Sequence, residues 1–78
     1  MPAPYHPPVK RSIRIEGHST SISLEPMFWE MLKAEAERAD TTINGLVARI
    51  DEERIRAENP CGLAGAIRIW LVERLRDQ

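Results

Sequence analysis

The sequence predicts a mainly helical chain with a short β-ribbon at its N-terminal side. Three observations carry that reading. In Ser19-Thr20-Ser21-Ile22-Ser23-Leu24, Ile22 and Leu24 point one way and Ser19, Ser21 and Ser23 the other, as in a half-buried strand. At Pro26 the period changes: Phe28, Leu32, Ala36 and Ala39 recur at helical spacing, and proline suits a first helical position because its missing N–H would have no partner there. Two more apolar stripes at helical spacing follow, one after Thr42 and one after Pro60.

Length and composition set the bounds. A chain of 78 residues makes one domain. A domain this small commonly needs a disulfide, a metal or a partner subunit. The single cysteine, Cys61, forms no internal disulfide, and no cluster of metal ligands is visible, so a partner subunit is expected. Net charge is −1, which by itself gives no support to nucleic-acid binding. Its distribution says more. Lys10, Arg11 and Arg14 stand against Glu16 alone in residues 1–20, whereas residues 21–58 hold five bases and nine acids. The N-terminal end is the basic end of an otherwise acidic chain. No apolar run approaches the roughly 20 residues that cross a bilayer. Residues 1–8 are Pro-rich and lack the charged-then-apolar order of a secretion signal. A cytoplasmic location is therefore expected, and the lone thiol fits it.

Taken in order, residues 1–9, MPAPYHPPV, with four prolines, read as a disordered tail ahead of a single domain over 10–78. Residues 10–15, KRSIRI, alternate, with Ile13 and Ile15 on one face and Ser12 and Arg14 on the other. Gly17-His18 suits a two-residue type II′ turn. The register that follows sets Arg14 against Ser21, Ile13 against Ile22 and Ser12 against Ser23, so like meets like on nearly every rung. The alternative is that residues 10–18 form an extended arm. The first helix is predicted from about Pro26 to Arg38, with Phe28, Leu32 and Ala36 facing the core and Trp29 beside them. Thr42 is a good N-cap for the second helix, whose stripe is Ile43, Leu46, Val47 and Ile50, and Gly45 allows close approach of another backbone. The charged run from Asp51 to Glu58 reads as a solvated helix end and connection. Asn59 and Pro60 then cap and start a third helix, with Leu63, Ile67, Trp70, Leu71 and Leu75 on one stripe and Ile69 and Val72 widening it toward burial on more than one side.

The residues offer little to catalysis. His6 and His18 lie in loop-like segments without ligands at metal spacing. Cys61 has no histidine near it in sequence, and neither a nucleophile elbow nor a Gly-rich phosphate loop is present. No enzyme activity, metal or cofactor is expected.

The order over residues 19–53 (strand, Pro-started helix, short turn, Thr-capped helix) resembles the ribbon-helix-helix (Arc/MetJ-like) family. A longer pattern, KRSIRIEGH followed by TSISLEP, is similar to that of a group of short bacterial ribbon-helix-helix proteins and spans most of the chain. The resemblance implies a ribbon-helix-helix homodimer with an added N-terminal strand and a third, C-terminal helix. The expected dimer core is Ile22, Leu24, Phe28, Trp29, Leu32, Leu46, Val47 and Ile50. The implied function is that of a small DNA-binding transcriptional regulator whose ribbon enters the major groove. Ser19, Ser21 and Ser23 would face bases, and the backbone N–H groups at Thr42, Ile43 and Asn44 would hold phosphate. Lys10 and Arg11 are expected on phosphates, and Arg14, on the polar face of the hairpin, is expected to carry most of the affinity. Two features point to an alternative, a protein–protein interaction module, antitoxin-like or adaptor, with the same fold. Serine discriminates bases poorly. And if residues 10–15 pair, a dimer joined strand to strand has a four-stranded sheet, too wide for the groove.

Overall fold

The computed structural model describes residues 5–77. Five elements follow in order: β1 (Val9–Ile15), β2 (His18–Leu24), α1 (Pro26–Arg38), α2 (Ile43–Arg56) and α3 (Leu63–Arg76). Of the expected tail, residues 1–4 lie outside the described residues. Its last residue, Val9, opens β1 and pairs with Leu24.

β1 and β2 form an antiparallel hairpin, not an arm, and its register differs from the predicted one by two residues. Ile15 pairs with His18, Ile13 with Thr20 and Arg11 with Ile22. The reason is the turn. Glu16 and Gly17, not Gly17 and His18, occupy it, with φ of 47° and 83°. Positive φ at both central positions is the type I′ geometry, whose twist matches that of the flanking strands. The turn outweighs the pairing of like with like. A slip of two residues leaves every side chain on its predicted face, because the strand period is two.

α1 has the predicted bounds and ends in a Schellman arrangement. Asp40 stands in the left-handed region at φ 56°, its N–H donates to the Glu37 carbonyl at 3.1 Å, and the Thr41 N–H donates to Ala36 at 2.9 Å. Thr42 caps α2: its Oγ1 accepts from the Gly45 N–H at 3.0 Å. A Cβ on Gly45 would stand 2.5 Å from Thr41 Oγ1, so the glycine makes room for the threonine hydroxyls and not for another backbone. α3 starts three residues later than predicted, at Leu63 behind Gly62, with no side-chain cap. Residues 60–62 stay outside the helix, and Arg54, which pairs with Asp51 at 2.8 Å, donates from Nη1 to the Cys61 carbonyl there.

The hairpin lies across α2 and α3, β1 along α2 and β2 against α3, while α1 packs on both helices. The core is Ile13, Ile22, Leu24, Trp29, Leu32, Ala36, Leu46, Val47, Ile50, Ile67 and Leu71. Seven of the eight residues expected in a shared dimer core are thus buried within one chain, and Phe28 is half-buried. The added strand contributes Ile13 to this core, and the third helix Ile67 and Leu71. The widened stripe of α3 is corrected as well: Ile69, Val72 and Leu75 are 59%, 44% and 57% exposed.

Candidate nucleic-acid interface

The polar face of the hairpin is built by three rungs, Lys10 with Ser23, Ser12 with Ser21 and Arg14 with Ser19. Alternation turns all six side chains away from the core. Five are exposed and Ser23 is half-buried. Lys10 and Arg14 stand about 13 Å apart along β1, taking the usual rise per residue. No acid shares this face, since Glu16 belongs to the turn. Arg14 faces Ser19 rather than Ser21, as the register shift requires.

Arg11 leaves this set. It alternates onto the face of Ile13 and Ile15, and its guanidinium lies 5.0 Å from the centre of the Trp29 ring. Of the three bases expected on DNA, the polar face therefore holds two per chain, Lys10 and Arg14. The Trp29 indole also donates to the Val9 carbonyl at 2.9 Å, tying α1 to the start of β1.

Arg11 lies instead near the start of α2. Arg11, Val9, Trp29, Lys33 and Ile43 border one hollow of about 320 Å³, with Glu30 and Pro26. The N–H groups of Ile43 and Asn44 donate to no acceptor among the described residues, as is usual in a first helical turn. They point out with the positive end of the helix dipole, an arrangement that suits an anion. Nothing in the sequence alone singles out Lys33. Its i+4 spacing from Trp29, which docks on β1, is the signal that places it here.

Arg68 of α3 was also not singled out. Its Nε and Nη2 donate to Glu25 Oε1 at 3.0 and 2.8 Å, Nη2 reaches the Ser23 carbonyl at 3.4 Å, and the guanidinium lies 5.7 Å from the Phe28 ring centre. The Glu25 carboxyl is held below its ordinary value, first by a hydrogen bond from its own backbone N–H and then by Arg68. This bridge fixes the junction between the ribbon and α1. Among the described residues no group of metal-binding side chains gathers, and no helix is long and apolar enough to cross a membrane.

A family model described as a ribbon-helix-helix domain matches residues 8–75, which include β1, β2 and nearly all of α3. No curated protein and no solved structure matches the chain.

Proposed function

The chain belongs to the ribbon-helix-helix domain family, and on that premise we propose that it is a small cytoplasmic DNA-binding transcriptional regulator that works as a pair of chains. Domains of this family are in general DNA-binding regulators or antitoxins, and are typically not enzymes. The observation that carries the reading is the acid-free polar face of the hairpin, with Lys10 and Arg14 at its two ends and serines between. A two-stranded ribbon has the width that the major groove admits. Here one chain makes such a ribbon by itself, so no four-stranded sheet is required. Arg14 would make the main contact, to a phosphate or a guanine edge, with Ser12, Ser19 and Ser21 beside it. The second contact would be a phosphate at the start of α2, held by the Ile43 and Asn44 N–H groups with Thr42, Arg11 and Lys33 around it. The pairing of chains would use Val72 and Leu75, left exposed on α3, which leaves both ribbons free.

The test is a titration of wild type and Arg14→Ala against random and selected duplexes at two salt concentrations. Wild-type affinity should fall steeply with salt, because several bases displace counterions. Arg14→Ala should weaken binding to every duplex if it holds phosphate. If it reads a base, it should relax preference at one position of each half-site, by about 1–3 kcal/mol. No duplex binding at low salt would reject the regulator in favour of a protein-binding module.

A further inference from the structure

On the far side of α3 from its exposed Val72 and Leu75, a cleft of about 490 Å³ runs between the second half of α2 and α3. Ile50, Ala57, Cys61, Ala66, Ile69 and Trp70 give it a mostly apolar lining. Its size falls in the range of small-molecule sites, roughly 300–1,000 Å³. Trp70 is its half-buried end wall, and the Arg74 guanidinium lies 4.3 Å from the Trp70 ring centre. Trp70 and Arg74 also border a second hollow, of about 190 Å³, where Arg38 of α1, Arg49 of α2 and Arg74 of α3 converge with Glu35. Glu35 is taken by Arg38 at 3.1 Å. Arg49 and Arg74 have no carboxylate within ion-pair distance among the described residues. Two guanidiniums without an ion-pair partner thus border one hollow, and an anion seated there is attracted to both. Three acids, Glu53, Glu73 and Asp77, border the apolar cleft itself, and its Arg54 is held by Asp51, which disfavours an anionic group there and leaves the arginine hollow as its seat.

We propose that the cleft and the arginine hollow together bind one amphipathic organic anion. Its apolar body lies against Ile50, Ala66 and Ile69, and its carboxylate or phosphate head is held by Arg49 and Arg74. The site is apart from the ribbon, and its test contains no DNA, so it stands or falls separately from the DNA reading.

The probes are decanoate and decyl phosphate, with decanol as the headless control and inorganic phosphate as the bodiless one. Trp70 and Trp29 are the two tryptophans of the chain, so two indole N–H resonances report the two regions. Decanoate, decyl phosphate or both should shift the Trp70 resonance saturably and leave that of Trp29, on the other side of α1, in place. The stronger of the two names the head group. Decanol and inorganic phosphate should bind at least about tenfold more weakly, the usual worth of a charge-assisted contact. Arg74→Gln should cost the anions about tenfold and leave decanol unchanged. Its exposed, unpaired side chain makes loss of folding no concern, and the rest of the spectrum checks that. The bound anion should also slow alkylation of Cys61, the single thiol, which borders the cleft. Three results would overturn the proposal: no saturable shift at millimolar probe, equal affinity for decanol and decanoate, or shifts that grow with protein concentration alone, which would mean that a second copy fills the cleft.

Discussion

α2 and α3 have the same length, 14 residues, and make opposite use of it. α2 has a side-chain cap at Thr42, buries Leu46, Val47 and Ile50 completely, and gives its outer surface to charged residues apart from Asn44 and Ile55. α3 has no side-chain cap, buries only Ile67 and Leu71, and leaves Ile69, Val72 and Leu75 in water. To the packing of Ile67 and Leu71 it adds an ion pair, Arg68 with Glu25, whereas α2 relies on packing. The first helix is satisfied by its own chain. The second has a stable seat and apolar surface to spare, and a molecule that binds something besides DNA has its means there.

Breaking α2 should cost most. Leu46→Ala removes a side chain with no exposure and should destabilise by roughly 2–5 kcal/mol in denaturant unfolding, as should Leu24→Ala at the end of β2. A loss under about 1 kcal/mol would show a core that collapses around the cavity. Thr42→Ala should cost about 1 kcal/mol of stability. It should also weaken duplex binding beyond that loss if the first turn of α2 holds phosphate.

The attachment of α3 is testable through acid. The Glu25 pKa is lowered in the folded chain, so its stabilising contribution is complete above the ordinary carboxylate value of about 4. It is lost as pH falls through the lower folded value, because the unfolded chain takes up the proton first. Arg68→Met should flatten that acid limb in a pH series of unfolding curves and leave the neutral-to-alkaline limb unchanged in shape. The smallest effect belongs to the spare surface. Val72→Ser should change the unfolding free energy of a dilute chain by less than about 0.5 kcal/mol. It should nevertheless shift sedimentation equilibrium at micromolar concentration toward the single chain.

Periodicity made most of this architecture legible. The alternation of Ile22 and Leu24 against three serines assigns both faces of β2, and the helical stripes place three helices, the first with its observed bounds. The register was not legible, because it depends on which two residues accept positive φ. Glu16 is an uncommon choice there, and a slip of two leaves the pattern of faces unchanged. The start of α3 was hidden for another reason. Asn59-Pro60 is a sound local signal for a helix start, but the helix begins only behind Gly62, and no side chain caps it. In the candidate site, the strand residues Lys10, Arg14, Ser19, Ser21 and Ser23 could be placed on one face from alternation. Charge groups Arg11 with Lys10, although alternation sets it on the other face with Ile13, and Lys33 and Arg68 become visible only once distant elements are packed together.

The hydrogen bond from Trp29 to Val9 has a consequence in time. It joins residues 20 apart, so β1 is held at its start by a helix that follows it in the chain. Only Ile13 of β1 is fully buried, while β2 buries Ile22 and Leu24 and continues directly into α1. The two strands of one ribbon therefore differ in how readily they leave the body. β1 lifts away by giving up its ladder with β2, one indole bond, the Arg11 stack and a single fully buried side chain, with the helices still packed. Amide hydrogens along β1 should exchange by such local opening, ahead of those of α2, which wait for global unfolding. An anion that gripped both Lys10 and Arg14 would slow the exchange of the strand that carries them.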